Sequence, residues 1–182
     1  MKKIDARVRY TRKILKDSFL KLLKDKPVNK ITVKSVCELA EINRATFYSH
    51  YSDCFDLLEN IEQELLQQFQ KSLKLIDSFD SAFLIEAIYK MVEQNQEACE
   101  VLIFRGASTS VLTRMIDLAK EQTIIHWKKE LKKATEAEIE MLYMHLSNGL
   151  MNVVVDGYYK YTKEEVINFV DEIVSSSIKL FH

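Results

Sequence analysis

"ITVKSVCELAEINRATFYSHYSDCFDLL", residues 31–58, decides how this chain is read. Val33, Val36, Cys37 and Ala40 recur at i, i+3, i+4 and i+7, the spacing of one buried helix face. Thr32 stands just before them, where its hydroxyl can accept from the free backbone N–H groups of a first turn. Ile42-Asn43 breaks the run, and Asn43 is a good N-cap for a second short helix over about 44–50. Two short helices joined by a tight turn form a helix-turn-helix.

The second helix can be tested by its angles, at about 100° per residue. With Phe47 pointing inward, Tyr51 falls roughly 40° away and packs beside it. Ala45 and Ser49 lie roughly 160° from Phe47, and Thr46 and Tyr48 lie at about 100°. The outward face is therefore Ala45, Thr46, Tyr48 and Ser49, with Arg44 near its start and His50 at its edge. Small residues at its centre would let the backbone sink into a DNA major groove. Thr46 and Ser49 can bond base edges or phosphates, and Ala45 can touch a thymine methyl. Arg44 suits guanine or a phosphate, while Tyr48 and His50 suit phosphate oxygens. Thr32 and Lys34, at the start of the first short helix, complete the expected DNA-binding set.

The flanking sequence agrees. Residues 1–50 hold 13 Lys and Arg against five acids, a charge of +8, and the remainder carries −9. A basic head on an acidic body points to an anionic partner for the head, with double-stranded DNA favoured over a membrane surface. Lys2, Lys3, Arg7 and Arg9 read either as a solvated tail or as an arm along DNA phosphates. Residues 7–24 form a helix that ends at Lys26-Pro27, because the residue before proline resists the α conformation. Ser52 or Asp53 caps a long helix reaching about Leu75.

Three Gly and one Pro in 182 residues argue against a turn-rich β fold and for long helices throughout. Asp80 or Ser81 starts another helix, a short piece covers about 97–104, and Gly106 breaks the chain. Further helices run through Leu112 to Trp127, from the capping box Thr135/Glu138, and from the box Thr162/Glu165. The fold class is all-α: a three-helix head over residues 1–60 and a larger helical body over 61–182.

Here the head resembles the DNA-binding segment of TetR-type bacterial transcription regulators. Thr32, Ala40, Thr46, Phe47, Tyr48, His50 and Tyr51 match that pattern position by position, and Leu57-Leu58 match the start of its fourth helix. The resemblance implies an all-helical homodimer that binds a double-stranded DNA operator and whose body takes a small-molecule effector. Three positions depart from it. Glu41 stands where the family's turn usually has glycine, Cys54 where a lysine commonly meets a phosphate, and Ser52 where a basic residue is frequent. Backbone N–H groups at the fourth helix can still hold a phosphate, with a weaker salt-dependent contribution to affinity.

In the body, Tyr89, Phe104, His126, Trp127 and Tyr143 are candidates to line an effector pocket, with ordinary core packing as the alternative. Ile139, Leu142, Leu146, Gly149, Leu150 and Val153 recur along one helix, and Val166, Val170 and Ile173 along the last. Two such stripes suit a four-helix dimer interface, two helices from each subunit. For catalysis the sequence offers little. His126 and His145 are isolated, the three cysteines fit neither a zinc site nor a disulfide framework, and no Gly-x-Ser-x-Gly or phosphate loop occurs. No enzyme activity, cofactor or metal is expected. With no apolar run of bilayer length and no signal-like apolar stretch at the N-terminus, no membrane partner is expected either, and the cytoplasm is the expected compartment.

Overall fold

A computed structural model describes residues 6–73, 81–108 and 110–181. Among these the chain is helical, with no strand. The expected tail residues Lys2 and Lys3, the helix end near Leu75 and the alternative cap Asp80 lie outside the described residues.

The chain forms two compact units. The first runs to Leu65 and also takes in Glu97–Ala107. In it, α1 (Ala6–Leu23) buries Leu15, Phe19, Leu20 and Leu23, and a single 3-10 turn (Val28–Lys30) follows Pro27. Next come α2 (Val33–Ala40) and α3 (Arg44–Tyr48), then α4 (Cys54–Leu73), which continues past this unit. Each short helix is closed by its own sequence. Thr32 Oγ1 accepts from Ser35 N–H at 3.1 Å while Ser35 Oγ accepts from Thr32 N–H at 3.2 Å. This box uses serine where glutamate or glutamine is usual. Val36, Cys37 and Ala40 are buried and Val33 is half-buried, as the spacing predicts. Farther along, α6 (Gln96–Cys99) runs on as a π-helical turn over Glu100–Phe104. Cys99, Val101 and Leu102 are fully buried there, and Lys24 pairs with Glu97 at 2.8 Å.

The turn between α2 and α3 answers the question Glu41 poses. Its φ of 55° and ψ of 36° place it in the left-handed region, where the family's glycine would be unstrained. Ile42 N–H reaches back to Cys37 O at 3.0 Å and Glu41 N–H to Glu38 O at 3.4 Å. This pair of bonds is a Schellman closure, and it holds a residue with a Cβ in a conformation glycine adopts freely.

The second unit contains α5 (Ser81–Gln94), α7 (Ser110–Glu130), α8 (Glu136–Gly157) and α9 (Lys163–Lys179). Thr135 and Thr162 cap α8 and α9 through reciprocal bonds with Glu138 and Glu165. Substituting such a cap by alanine costs about 1 kcal/mol. These bonds, backbone first and then the Thr hydroxyl, hold both glutamates below the usual carboxylate range. Trp127, Leu131, Ile139, Tyr143 and Leu146 form one core cluster between α7 and α8. The α5 and α9 helices pack together, with Ser81 Oγ donating to Asp171 at 2.8 Å and Lys163 pairing with Glu86 at 2.9 Å.

Candidate nucleic-acid interface and effector cavity

Phe47 on α3 and Tyr51, three residues beyond its end, are buried to 0% and 2% exposure, with ring centroids 5.8 Å apart. Fully burying side chains of this size stabilises by about 1.5–3 kcal/mol each, which fastens a five-residue helix too short to persist alone. The opposite side is open. Arg44, Ala45 and Ser49 are exposed, Tyr48 is 58% exposed, and Thr46 and His50 are half-buried. The Tyr48 ring stands edge-on against Phe47 at 5.7 Å, which holds it upright on the surface.

The hydroxyls on this face have local partners. Asn43 Oδ1 accepts from Thr46 N–H at 2.7 Å and from Thr46 Oγ1 at 2.9 Å. Ser49 Oγ donates to Thr46 O at 2.7 Å. Both hydroxyls therefore present lone pairs outward, and suit donors such as a base amino group better than phosphate oxygens. Thr32 Oγ1 is likewise committed to its cap, and exposed Lys34 pairs with Glu38 at 3.7 Å, a surface contact of little strength.

The start of α4 differs from the expectation of an open phosphate seat. Asp53 Oδ1 accepts from Phe55 and Asp56 N–H, both at 2.8 Å, and Asp56 Oδ2 accepts from Ser52 N–H at 2.8 Å and Ser52 Oγ at 3.1 Å. Two carboxylates thus occupy donors that an incoming phosphate would use. The role of Asp56 is visible in the sequence only as an acid three residues after the cap. Cys54, at the family's lysine position, is itself buried, and that burial pushes its thiol up to about 11.

In the second unit, an apolar cavity of about 90 Å³ lies among α4, α5, α7, α8 and α9 residues. Its walls include Phe69, Ile85, Ile88, Met115, Leu150 and Val170, with Trp127 and Tyr143 at one side. Of the candidate effector residues, the structure thus brings Trp127 and Tyr143 together, their rings 6.3 Å apart. Tyr89 is buried against Tyr158, His126 faces Glu130 at 3.2 Å, and Phe104 belongs to the first unit; none of the three lines the cavity. Ser147, a lining residue that sequence periodicity does not distinguish, emerges only from the packing.

Burial divides the expected dimer stripes. Ile139, Leu146, Val166 and Val170 are buried within the unit itself. Leu142, Leu150 and Val153 are half-buried, and Gly149 and Ile173 are exposed. The large apolar side chains that α8 and α9 turn outward are Met141, Met144, Phe169 and Ile173, with Leu180 just beyond. Among the described residues there is no cluster able to hold a metal ion, and no helix is long and apolar enough to cross a membrane.

No protein-family model matches the sequence. YxbF of Bacillus subtilis (strain 168), an uncharacterized HTH-type transcriptional regulator, is 21% identical over 165 residues. The match covers 90% of this chain, which spans about 40% of the length of that curated relative. Among solved structures, a protein of Syntrophomonas wolfei assigned to the TetR family of transcriptional regulators superposes with a TM-score of 0.62 at 18% identity, over 93% of this chain and 95% of the other. A protein of Pseudomonas aeruginosa PAO1 assigned as a transcriptional regulator gives 0.64 at 14% identity, over 94% and 93%. The fatty acid degradation regulator FadR of Bacillus halodurans gives 0.62 at 13%, over 94% and 96%. The chain has the fold of TetR-type regulators.

Proposed function

We propose that this chain is a sequence-specific DNA-binding transcriptional regulator, acting as a homodimer and controlled by a small molecule held in its second unit. The observation that carries the reading is α3, whose inward side is locked by Phe47 and Tyr51 while Arg44, Ala45, Tyr48 and Ser49 stand exposed. The +8 charge of residues 1–50 supplies attraction to a polyanion, and α3 supplies the side chains that read it. Two heads would enter successive major grooves of a pseudo-palindromic operator, about 34–36 Å or a multiple apart. The exposed apolar residues of α8 and α9 are the surface a second copy would cover. An effector would shift the population between dimers that fit the operator and dimers that do not.

The test is selection of bound genomic fragments, followed by fluorescence anisotropy on the enriched site with Tyr48→Ala and Thr46→Ala. Both variants are expected to lose specific binding while keeping wild-type helicity and oligomeric state. Unchanged operator affinity in both would overturn the reading.

Asp53, seated on the first α4 N–H groups, and Asp56, seated on Ser52 N–H just before them, favour a second reading: the same fold used as an interaction module with weak DNA affinity. A salt titration separates the two. DNA binding gives a steep negative slope of log affinity against log salt, whereas the module binds no DNA even at low salt.

A further inference from the structure

From the lining of the apolar cavity, we infer that the ligand of the second unit is a small, uncharged, largely apolar molecule carrying a single oxygen that bonds to Ser147. The inference rests on the reading of that unit as effector-binding and gives the effector its chemical class. No charged side chain lines the cavity among the described residues. Its polar groups are four hydroxyls, and three are committed: Ser81 donates to Asp171, Thr123 to Ala119 O at 2.7 Å, and Tyr143 to Ile116 O. Ser147 Oγ is buried without an aligned hydrogen bond. It lies beside the Tyr143 hydroxyl, close enough for hydrogen bonding to the phenol to oppose burial, which together with Asp117 pushes that phenol up to about 12. Tyr143 therefore stays neutral at any physiological pH, and the cavity contains no ion to pair with another.

Burying an unpaired ion is far costlier than burying a neutral group of the same shape, so the cavity should select a neutral ligand over its ionic analogue by more than about 100-fold. Size narrows the class further. An apolar cavity of about 150 Å³ takes benzene, so one of about 90 Å³ suits a body of roughly four carbons. A groove of about 220 Å³ between α7 and α8 shares Ile116, Tyr143 and Ser147 with the cavity and is rimmed by Asp117, Lys120 and Glu140. The Tyr143–Ile116 hydrogen bond lies at this shared wall.

Trp127 is the chain's single tryptophan and lines the cavity, so its fluorescence reports occupancy. The full chain would be titrated with 1-butanol, butyrate, butylammonium and 1-chlorobutane. Saturable changes are expected with 1-butanol and 1-chlorobutane and none with either ion. Ser147→Ala should weaken 1-butanol by about 5–10-fold relative to 1-chlorobutane, the loss of one hydrogen bond rather than of shape. Ala119→Phe, which fills the cavity, should abolish both signals; if it fails to fold, the Ser147→Ala ratio still decides. Ionic ligands binding as well as 1-butanol, or no ligand perturbing Trp127, would overturn the inference. Operator affinity is measured separately. If 1-butanol binds and leaves that affinity unchanged, the ligand class stands and effector control of DNA binding fails.

Discussion

Glu41 provides a direct measure of how far this head departs from an unstrained turn. A side chain held in the left-handed region costs roughly 1–2 kcal/mol, and Glu41 is the one residue other than glycine with positive φ among the described residues. Glu41→Gly releases that strain and keeps the backbone bonds to Cys37 and Glu38. The released energy is partly offset, because glycine makes the unfolded chain more flexible by about 0.4–1 kcal/mol. The net stabilisation should be about 0.5–1 kcal/mol. Glu41→Ala is the control, since it removes the same charge but keeps the Cβ that causes the strain. Urea unfolding followed by circular dichroism should show a higher midpoint for Glu41→Gly and none of that gain for Glu41→Ala. Operator binding should respond differently, with both variants tightening similarly because both remove a negative charge near DNA. If Glu41→Gly is no more stable than Glu41→Ala, backbone strain at this turn is not what the glutamate costs.

Other perturbations test separate parts of the molecule. Ser52→Arg restores a basic side chain at an exposed position and should tighten operator binding, steepening the salt slope by about 0.9 for one added phosphate contact; an unchanged slope would place Ser52 away from DNA. Phe169→Glu together with Ile173→Glu should yield folded monomers in sedimentation velocity, and persistence of a dimer would locate the interface elsewhere. Burial raises Tyr51 and Tyr143 to about 12, Cys54 to about 11 and Cys99 to about 12, from ordinary values of 10.0 and 9.0. The folded chain therefore holds these protons more tightly than the unfolded one. Their contribution is complete below about pH 9 and declines as pH rises toward 11–12, so urea midpoints should be lower at pH 10.5 than at pH 8. A flat profile would contradict the burial of these groups.

Local sequence signals identified the head because its elements are closed locally. Thr32, Asn43, Thr135 and Thr162 each cap the helix that follows, and the chemistry of each cap lies within three residues. The inward turn of Phe47 follows from helical angle, and Tyr51, though past the end of α3, is buried beside it as that angle led one to expect. What the sequence left open on α3 was the state of its hydroxyls: Thr46 is spent on Asn43 and Ser49 on Thr46 O, which depends on the particular rotamers. At α4, Ser52 and Asp53 were competing cap candidates. In the structure Asp53 is the cap, while Asp56 folds back onto Ser52, a reciprocity two separate propensities do not reveal.

The body was less legible because periodicity shows that a face is apolar without showing what covers it. Along α8, Ile139, Tyr143, Leu146 and Val154 form the inner stripe and are buried by their own unit. Met141 sits two residues after Ile139, roughly 200° around the helix, and Met144 is exposed beside it. On α9, Val166 and Val170 face inward, while Phe169 and Ile173 look out with exposures of 50% and 38%. A helix that is apolar on opposite sides needs two partners, and this unit supplies one. Ile139, Leu146, Val166 and Val170 of the expected stripes are core, while Gly149 and Ile173 of the same stripes are exposed, and Met141, Met144 and Phe169 are exposed on the same two helices. Gly149 has open space around its Cα, so the α8 backbone would present no side chain at that point to hold a second copy away.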